Sequence, residues 1–227
     1  GVNGADPHRL YKKVLPLVWS FGGELLDSAG QPRLTDPAVI AAVRFYAELA
    51  RVGLIETQRQ LDDLFLQGKL GFWLSGAWLA EKLRQQNPAW EYTLALLPGR
   101  TPTDSGISFA GGEYLAVSAT SPRKELALAL VQFLTAGENA VRFCAAVPEA
   151  GFPADRRFLH DSLLLRIPYR RLFAEQLLRA RMTPVHPRWL ELEDAFEHAV
   201  VEVLYGVRSP EEALREAQRR ILSRSTP

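Results

Sequence analysis

Two adjacent glycines, Gly111 and Gly112, constrain the fold more than any other feature of this sequence. Glycine has no side chain, so a glycine pair marks either a bulge in a strand or a point where the backbone approaches another group closely. Residues 113–118 then alternate like a short strand, and Ser121-Pro122 opens an amphipathic helix. Glu113 is a carboxylate beside the pair and can accept hydrogen bonds from hydroxyl groups. Two interpretations stay open here, an exposed strand bulge and a ligand-binding corner.

The order of apolar segments predicts an α/β protein with a helical tail. Strand-like runs at 69–74, 91–97 and 113–118 alternate with helical periodicity, whereas the pattern after 151–153 is almost wholly helical. Helices are predicted at 7–20, 37–52, 57–67, 76–86, 123–135, 138–147, 162–179, 187–205 and from 210 onward.

Three of the predicted helices carry explicit start signals. Asp6-Pro7 and Asp36-Pro37 each combine an acidic N-cap with a proline in the first turn. The last helix has Ser209 as N-cap and Glu212 three positions later, which is the spacing of a capping box. These three helix starts are therefore specified locally.

Charge and cysteine content exclude several classes of function. The chain has 27 Lys and Arg residues against 26 Asp and Glu residues, a formal charge of +1. No global field attracts nucleic acid or an anionic membrane, so we expect no nucleic-acid partner. The single cysteine, Cys144, excludes an internal disulfide and a cysteine-based zinc site, and its apolar neighbours predict a packed thiol.

Enzyme and cofactor motifs are absent from the sequence, which contains no metalloprotease, nucleophile-elbow or phosphate-loop pattern. We therefore expect neither catalysis nor a cofactor. Asp194 and His198 have the spacing of a metal pair, but with Glu191, Glu193 and Glu197 they are expected to form a solvated helix face and no metal site. Four carboxylates leave a glycosidase pair open as an alternative. They belong to Glu24, Asp27, Glu113 and Glu149.

Tryptophan placement indicates a ligand site. Trp78 follows directly after a predicted strand, where a helix begins, and ligands of open α/β sheets bind at such positions. A flat indole there can stack on the apolar face of a sugar ring. Trp73 and Trp90 are expected to belong to the core.

Five collinear stretches resemble the extracellular solute-binding proteins of sugar ABC importers, the maltose-binding-protein-like group. Residues 67–78 (QGKLGFWLSGAW) resemble the segment GK-x-AM-x-x-x-GPW, and residues 109–127 resemble the region GG-x-x-x-x-I-x-x-x-SKNKE-x-A. The turn at 151–154 is similar to the family's G-x-x-P-A turn, and the helix at 209–221 to its closing S-x-EEAL helix. Residues 21–53 follow the family's pattern as well.

This resemblance implies a periplasmic-binding-protein-like (type II) fold, in which two α/β lobes are joined by crossing segments. On this assignment residues 1–98 form the first part of the C-terminal lobe and residues 104–148 cross over to complete the N-terminal lobe. Residues 153–227 return to the C-terminal lobe. We expect the chain to be part of a longer protein, without the signal sequence and most of the N-terminal lobe.

The resemblance also implies the function of a substrate-binding component of an ABC importer. Such a protein binds a sugar or oligosaccharide in the cleft between its lobes and delivers it to a membrane permease. We expect a monomer, either free or a lipoprotein, on the periplasmic or extracellular face of the cytoplasmic membrane. The implied ligand-binding residues are Trp78, Gly111, Gly112, Glu113, Tyr11 and Trp189.

Two alternatives stay open beside a sugar receptor. A receptor of the same fold for glycerol phosphodiesters would need cationic groups at the site, and Arg100 or Arg188 there would favour it. Glu113 at the ligand would oppose it through charge repulsion. The second alternative is a carbohydrate-active enzyme on the same scaffold.

Overall fold

The computed structural model describes residues 1–101 and 103–223. Its α-helices are α1 (Tyr11–Ser20), α2 (Pro37–Arg51), α3 (Gln58–Leu66), α4 (Ala77–Gln86), α5 (Lys124–Thr135), α6 (Gly137–Ala146), α7 (Ser162–Leu165), α8 (Arg170–Leu177), α9 (Trp189–Leu204) and α10 (Pro210–Ser223). Its strands are β1 (Val2–Asn3), β2 (Ile55–Glu56), β3 (Ser108–Phe109) and β4 (Ala180–Arg181), and single 3-10 turns lie at Pro148–Ala150 and Arg156–Phe158. The fold is mixed α/β and rich in helix, as the sequence predicts.

The strands form two parallel pairs, β1 with β2 and β3 with β4. In the second pair Ser108 lies opposite Ala180, and Phe109 lies opposite Arg181. Because the two strands run in the same direction, their carboxyl ends meet at one edge. Phe109 and Arg181 therefore mark an edge of the kind at which α/β proteins bind ligands.

The chain divides into two compact units. Unit 1 consists of Gly1–Leu74, Leu96–Phe109 and the residues from Arg179 onward, and unit 2 of Ser75–Ala95 and Ala110–Leu178. The lobe boundaries predicted near 98–104 and 148–153 stay a prediction. Within unit 2, α4 packs against the 3-10 turn at Pro148–Ala150, and α7 packs against α6. Which lobe of a whole binding protein each unit corresponds to stays a prediction.

Unit 1 has a large apolar core between its helices. α1, α2, α9 and α10 bury their apolar faces against one another. Val14, Val39, Phe196 and Leu214 each supply a side chain with no exposed surface. Burying a large apolar side chain contributes about 1.5–3 kcal/mol, so this cluster supplies most of the stabilising burial in the unit.

Unit 2 has a much smaller apolar cluster, made of Val141, Cys144 and Leu164, and buries further apolar side chains outside it, such as Leu83 and Leu159. The predicted packed thiol is confirmed, since Cys144 is buried and burial raises its pKa. α5 buries none of its residues, although Leu126, Leu130 and others along it are apolar. Among the described residues, no helix combines the length and apolarity that crossing a bilayer requires.

A polar network supports unit 2 beside this core. Glu81, only 1% exposed, accepts hydrogen bonds from Arg84, Gln85 and the Tyr169 hydroxyl. The Arg84 guanidinium, followed by the other two donors, lowers the pKa of Glu81 to about 2. A buried carboxylate is costly unless it is paired in this way.

Lys13 is a buried cation in unit 1. Its ammonium lies 5.1 Å from the ring centroid of Trp73, whose indole N–H donates to Asp62 Oδ1 at 2.7 Å. Burial is the main cause that lowers the pKa of Lys13 to about 8, while the Asp62 carboxylate opposes this shift. The neighbouring indole ring and carboxylate thus stabilise the charged amine in a buried site, where an unpaired charge would be unfavourable.

Local capping signals predict two helix starts correctly and one incorrectly. Asp36 accepts from the Ala38 N–H at the start of α2, and Ser209 and Glu212 form the predicted capping box at α10. Asp6 does not cap a helix at Pro7, because α1 begins only at Tyr11. Asp6 accepts instead from the Asn3 amide and from the Gln58 N–H.

Other predicted elements are also corrected. Segments 69–74, 91–97 and 113–118 contain no strand in the structure. A strand exists only where a neighbouring strand completes its hydrogen bonds, and alternation along one segment does not supply that neighbour. The helix predicted at 162–179 is divided into α7 and α8, with Pro168 in the break.

Candidate functional site

Three aromatic rings meet in unit 1 at the carboxyl end of β3. Tyr11 begins α1, Phe109 ends β3 and Trp189 begins α9. The Tyr11 ring centroid lies 5.8 Å from that of Phe109 and 6.1 Å from that of Trp189, in edge-to-face geometry. We call Tyr11, Phe109 and Trp189 the aromatic cluster. The structure thus brings together the predicted site residues Tyr11 and Trp189 and adds Phe109.

Two buried carboxylates on α9 form hydrogen bonds to the aromatic cluster and to His8 beside it. Glu193 is 3% exposed, and its two oxygens lie 2.8 Å from the indole nitrogen of Trp189 and 2.8 Å from Nδ1 of His8. Glu197 is 6% exposed and accepts the backbone N–H groups of His8 at 2.7 Å and Tyr11 at 2.8 Å. The carboxylates therefore anchor the start of α1 and the indole of α9.

The placement of Glu193 and Glu197 corrects the prediction of a solvated face. Asp194 and His198 are exposed and lie along α9 as expected, but Glu193 and Glu197 are buried against the start of α1. A signal was available in the sequence, since Trp189, Glu193 and Glu197 follow one another at four-residue spacing and so share a helix face.

Burial, together with the neighbouring carboxylates, keeps the Tyr11 hydroxyl of the aromatic cluster neutral. Burial, reinforced by Glu193 and Glu197, raises the pKa of Tyr11 to about 12. Burial also raises the pKa of Glu197, and the bond to Glu193 raises the pKa of His8. The Lys12 ammonium lies 5.7 Å from the Tyr11 ring centroid and 5.8 Å from that of Phe109. Tyr11 is only 9% exposed, so the accessible ring surface belongs to the partly exposed Phe109 and Trp189, with the Lys12 ammonium nearby.

The same carboxylates bear on the question of a metal ion. Ligand atoms of His8, Glu193 and Glu197 lie within 4.8 Å of one another. All four carboxylate oxygens already face nitrogen groups of the protein, which is the arrangement of a polar anchor. We therefore assign these residues to the support of the aromatic cluster and not to a metal centre.

An open groove of about 440 Å³ lies beside the end of α1. The aromatic rings at this groove are less suitable for stacking on a ligand than those of the aromatic cluster. The guanidinium of Arg181 covers the Trp19 ring at 5.0 Å, and that of Arg100 covers the Phe21 ring at 5.1 Å. Arg181 is also paired with Glu24 at 2.6 Å. These ring faces are occupied by the protein's own cations.

The other predicted site residues belong to unit 2. Trp78 lies in the first turn of α4 and is 39% exposed. A side chain at Gly76 would overlap the indole of Trp78, so the glycine two positions earlier makes room for this ring. The ring is thereby held against the backbone at the start of α4.

Gly111, Gly112 and Glu113 lie in an exposed segment of unit 2. Neither glycine has a positive φ, and apart from Gly112 and its two chain neighbours no described residue has an atom within 4 Å of a Cβ built at Gly112. The segment is not part of a strand, so the interpretation as a strand bulge is wrong. Open space at Gly112 leaves room for a ligand group, and a role of these residues in binding stays a prediction.

Comparison with known proteins identifies the class. Residues 13–153 match the family of bacterial extracellular solute-binding proteins, and the chain belongs to this family. The galactooligosaccharide-binding protein of Bacillus subtilis is 29% identical over 177 residues, which are 77% of this chain and 41% of that protein. The chain spans about half (49%) of the curated binding proteins that it matches over 206 residues.

Solved structures confirm the fold. An ABC-transporter solute-binding protein of Thermotoga lettingae, bound with α-D-tagatose, is 24% identical with a TM-score of 0.79 over 97% of this chain and 58% of that chain. The sugar-binding protein MalE of Xanthomonas citri is 22% identical with a TM-score of 0.79 over 95% of this chain and 56% of that chain. The predicted family and the periplasmic-binding-protein fold class are confirmed, and the chain covers part of that fold.

Proposed function

We propose that the chain is part of the substrate-binding component of an ABC importer and binds a sugar or oligosaccharide. The observation that carries the proposal is the aromatic cluster at the carboxyl end of β3. Sugar rings present C–H faces that stack on aromatic rings, and their hydroxyls need donors and acceptors nearby. Lys12 and the neutral Tyr11 hydroxyl are groups of this kind. The relative that binds galactooligosaccharide supports the same class of ligand.

The two carboxylates favour a neutral sugar over a glycerol phosphodiester, while the Lys12 ammonium is a cation at the aromatic cluster. Glu193 and Glu197 place two carboxylates next to the aromatic cluster, and carboxylates repel a phosphate. Arg188, which would favour the phosphodiester, directs its guanidinium to Glu191 at 2.8 Å and to the Ile221 carbonyl at 2.8 Å. Arg100 lies over Phe21.

The residues of unit 2 are proposed as further ligand contacts. Trp78 would offer a stacking face, the backbone at Gly111 and Gly112 would bind hydroxyls, and the Glu113 carboxylate would accept from them. For the whole protein we propose delivery to a membrane permease, a monomeric state, and a location on the periplasmic or extracellular face of the membrane. The family consists of binding proteins, which supports a function other than catalysis.

A binding titration tests the proposal. The purified protein is titrated with a panel of monosaccharides and oligosaccharides, with tryptophan fluorescence and calorimetry as readouts. We expect at least one sugar to bind, and expect Trp189→Ala and Tyr11→Ala to weaken it about tenfold or more, because the first removes a partly exposed stacking ring and the second removes the buried ring on which it packs. Trp90→Ala, which lies in unit 2 outside the proposed contacts, is the matched control.

Two further outcomes separate the alternatives. Binding of glycerophosphocholine with no response to any sugar would support the phosphodiester receptor and overturn the sugar assignment. Turnover of aryl glycosides, lost in Glu24→Gln or Glu113→Gln, would support an enzyme instead.

A further inference from the structure

Glu193 is the residue that connects both sides of the aromatic cluster. One carboxylate oxygen lies 2.8 Å from the Trp189 indole nitrogen on its own helix, and the other lies 2.8 Å from His8 Nδ1, just before α1. Glu197, one turn along α9, accepts the backbone N–H groups of His8 and Tyr11. Two buried carboxylates of one helix thus link the start of α1, which carries Tyr11, to the indole of Trp189.

Packing fixes part of this arrangement, since Tyr11 belongs to the buried core of unit 1 and Phe109 and Trp189 pack against that core. Trp189 is partly exposed and begins its helix, so the hydrogen bond from its indole N–H to Glu193 adds to the packing on its inner side. The Tyr11 ring meets Trp189 at an interplanar angle of 69° and Phe109 at 90°. A binding surface made of separate rings is specific only if each ring keeps its orientation before the ligand arrives.

We infer that Glu193 is the positioning residue of the aromatic cluster, and that it preorganises Trp189 for ligand through the indole hydrogen bond. Glu193 lies behind the ring and acts on affinity through Trp189 without touching the ligand itself. This inference rests on the proposed function for its effect on sugar affinity, but the orientation of Trp189 can be measured in the free protein.

The test compares three variants of the full chain. Glu193→Leu removes the acceptor at similar volume, Glu193→Gln keeps an amide oxygen that can accept from the indole, and Glu202→Leu is the control farther along α9, where Glu202 pairs with Arg208. Each is made with and without Trp189→Phe. For each pair, the near-ultraviolet circular dichroism spectrum of the Trp189→Phe protein is subtracted from that of the protein that keeps Trp189. The difference is the signal of Trp189.

In the ligand-free protein we expect Glu193→Leu to reduce the Trp189 signal, and expect Glu193→Gln and Glu202→Leu to keep it. For the best-bound sugar of the panel, Glu193→Leu should weaken binding about tenfold, and this loss should disappear in the Trp189→Phe background. A merely structural role would weaken binding equally in both backgrounds.

The inference is overturned if Glu193→Leu leaves the Trp189 signal unchanged, or if its effect on affinity is the same with Phe at position 189. If no sugar binds the wild-type protein, the proposed function fails and the ligand-free signal alone decides the inference. If Glu193→Leu does not fold, Glu193→Asp replaces it, since the shorter side chain withdraws the acceptor from the indole.

Discussion

The two compact units are stabilised in different ways. In unit 1 four helices enclose a continuous apolar core that includes Val14, Phe196 and Leu214. In unit 2 the apolar cluster contains three buried residues, further apolar side chains such as Leu83 are buried outside it, and the polar network of Glu81 and Tyr169 supplements them. A helix as apolar as α5 buries nothing in unit 2, whereas α10, a more polar helix, buries four residues in unit 1.

This difference shows that helix composition alone does not determine burial. An apolar helix is buried only where a neighbouring element covers it, and a polar helix contributes to a core through one apolar stripe. α10 has such a stripe, and it packs against α9 and α2. Four measurements, taken from the largest expected effect to the smallest, would test how far the contrast between the units extends.

Leu214→Ala in α10 should have the largest effect. The side chain has no exposed surface, so its truncation removes apolar burial and leaves a cavity, at a cost of about 2–5 kcal/mol in the free energy of unfolding. Urea denaturation followed by circular dichroism measures this cost. A loss below about 1 kcal/mol would contradict the description of unit 1 as core-stabilised.

Glu81→Gln in unit 2 should cost about 1–3 kcal/mol, because charge-assisted bonds from Arg84 and Tyr169 are lost or weakened. Tyr169→Phe removes one of these bonds and should cost less than Glu81→Gln. The thermal unfolding of both variants gives the comparison. Equal stability of wild type and Glu81→Gln would show that the network does not support unit 2.

Acid should affect the two units in opposite directions through two carboxylates. The pKa of Glu81 is lowered to about 2 by Arg84, so its contribution is present above about pH 4.5 and is lost as the pH falls toward 2. Burial raises the pKa of Glu197, so its contribution is present at low pH and is lost as the pH rises through that raised value.

The measurement is the change in unfolding free energy between pH 5 and pH 3 for wild type, Glu81→Gln and Glu197→Gln. The Glu81 contribution is at most about 3 kcal/mol when fully developed, and only part of it falls in this interval. Glu81→Gln should reduce the loss of stability on acidification, and Glu197→Gln should increase it. The same pH dependence in all three proteins would refute the assignment.

Leu130→Ala in α5 should have the smallest effect. The side chain is exposed, so the expected change in stability is within about 0.5 kcal/mol. It is the matched counterpart of Leu214→Ala, because both replace one leucine in the middle of a helix. A loss comparable to that of Leu214→Ala would mean that α5 is covered in solution.

Elements that depend on contacts within a few residues were predicted correctly, and elements that depend on residues distant in sequence were not. The starts of α2 and α10 were predictable because Asp36 and Ser209 act within three residues of themselves. The strands predicted at 69–74 and 91–97 were wrong because pairing depends on a partner distant in sequence. Asp6 was assigned to the wrong helix start for the same reason, since it bonds to Gln58.

The candidate site shows the same limit. Family resemblance pointed to Tyr11 and Trp189, and the structure places their rings together, while their role in binding stays a prediction. Glu193 and Glu197 were interpreted as a solvated face because their partner groups lie 185 to 189 residues away. Charge pattern along one helix cannot show which other segment covers it.

The burial of Lys13 beside Trp73 has a practical consequence for spectroscopy. An ammonium 5.1 Å from an indole ring perturbs its emission, and here the ammonium loses its proton near pH 8. Tryptophan fluorescence of this protein should therefore change with alkaline pH in the absence of any ligand. A sugar titration that is followed by fluorescence is best done in buffers near pH 6.5. A Trp73→Phe background, which removes the pH-dependent emission of Trp73, serves the same purpose.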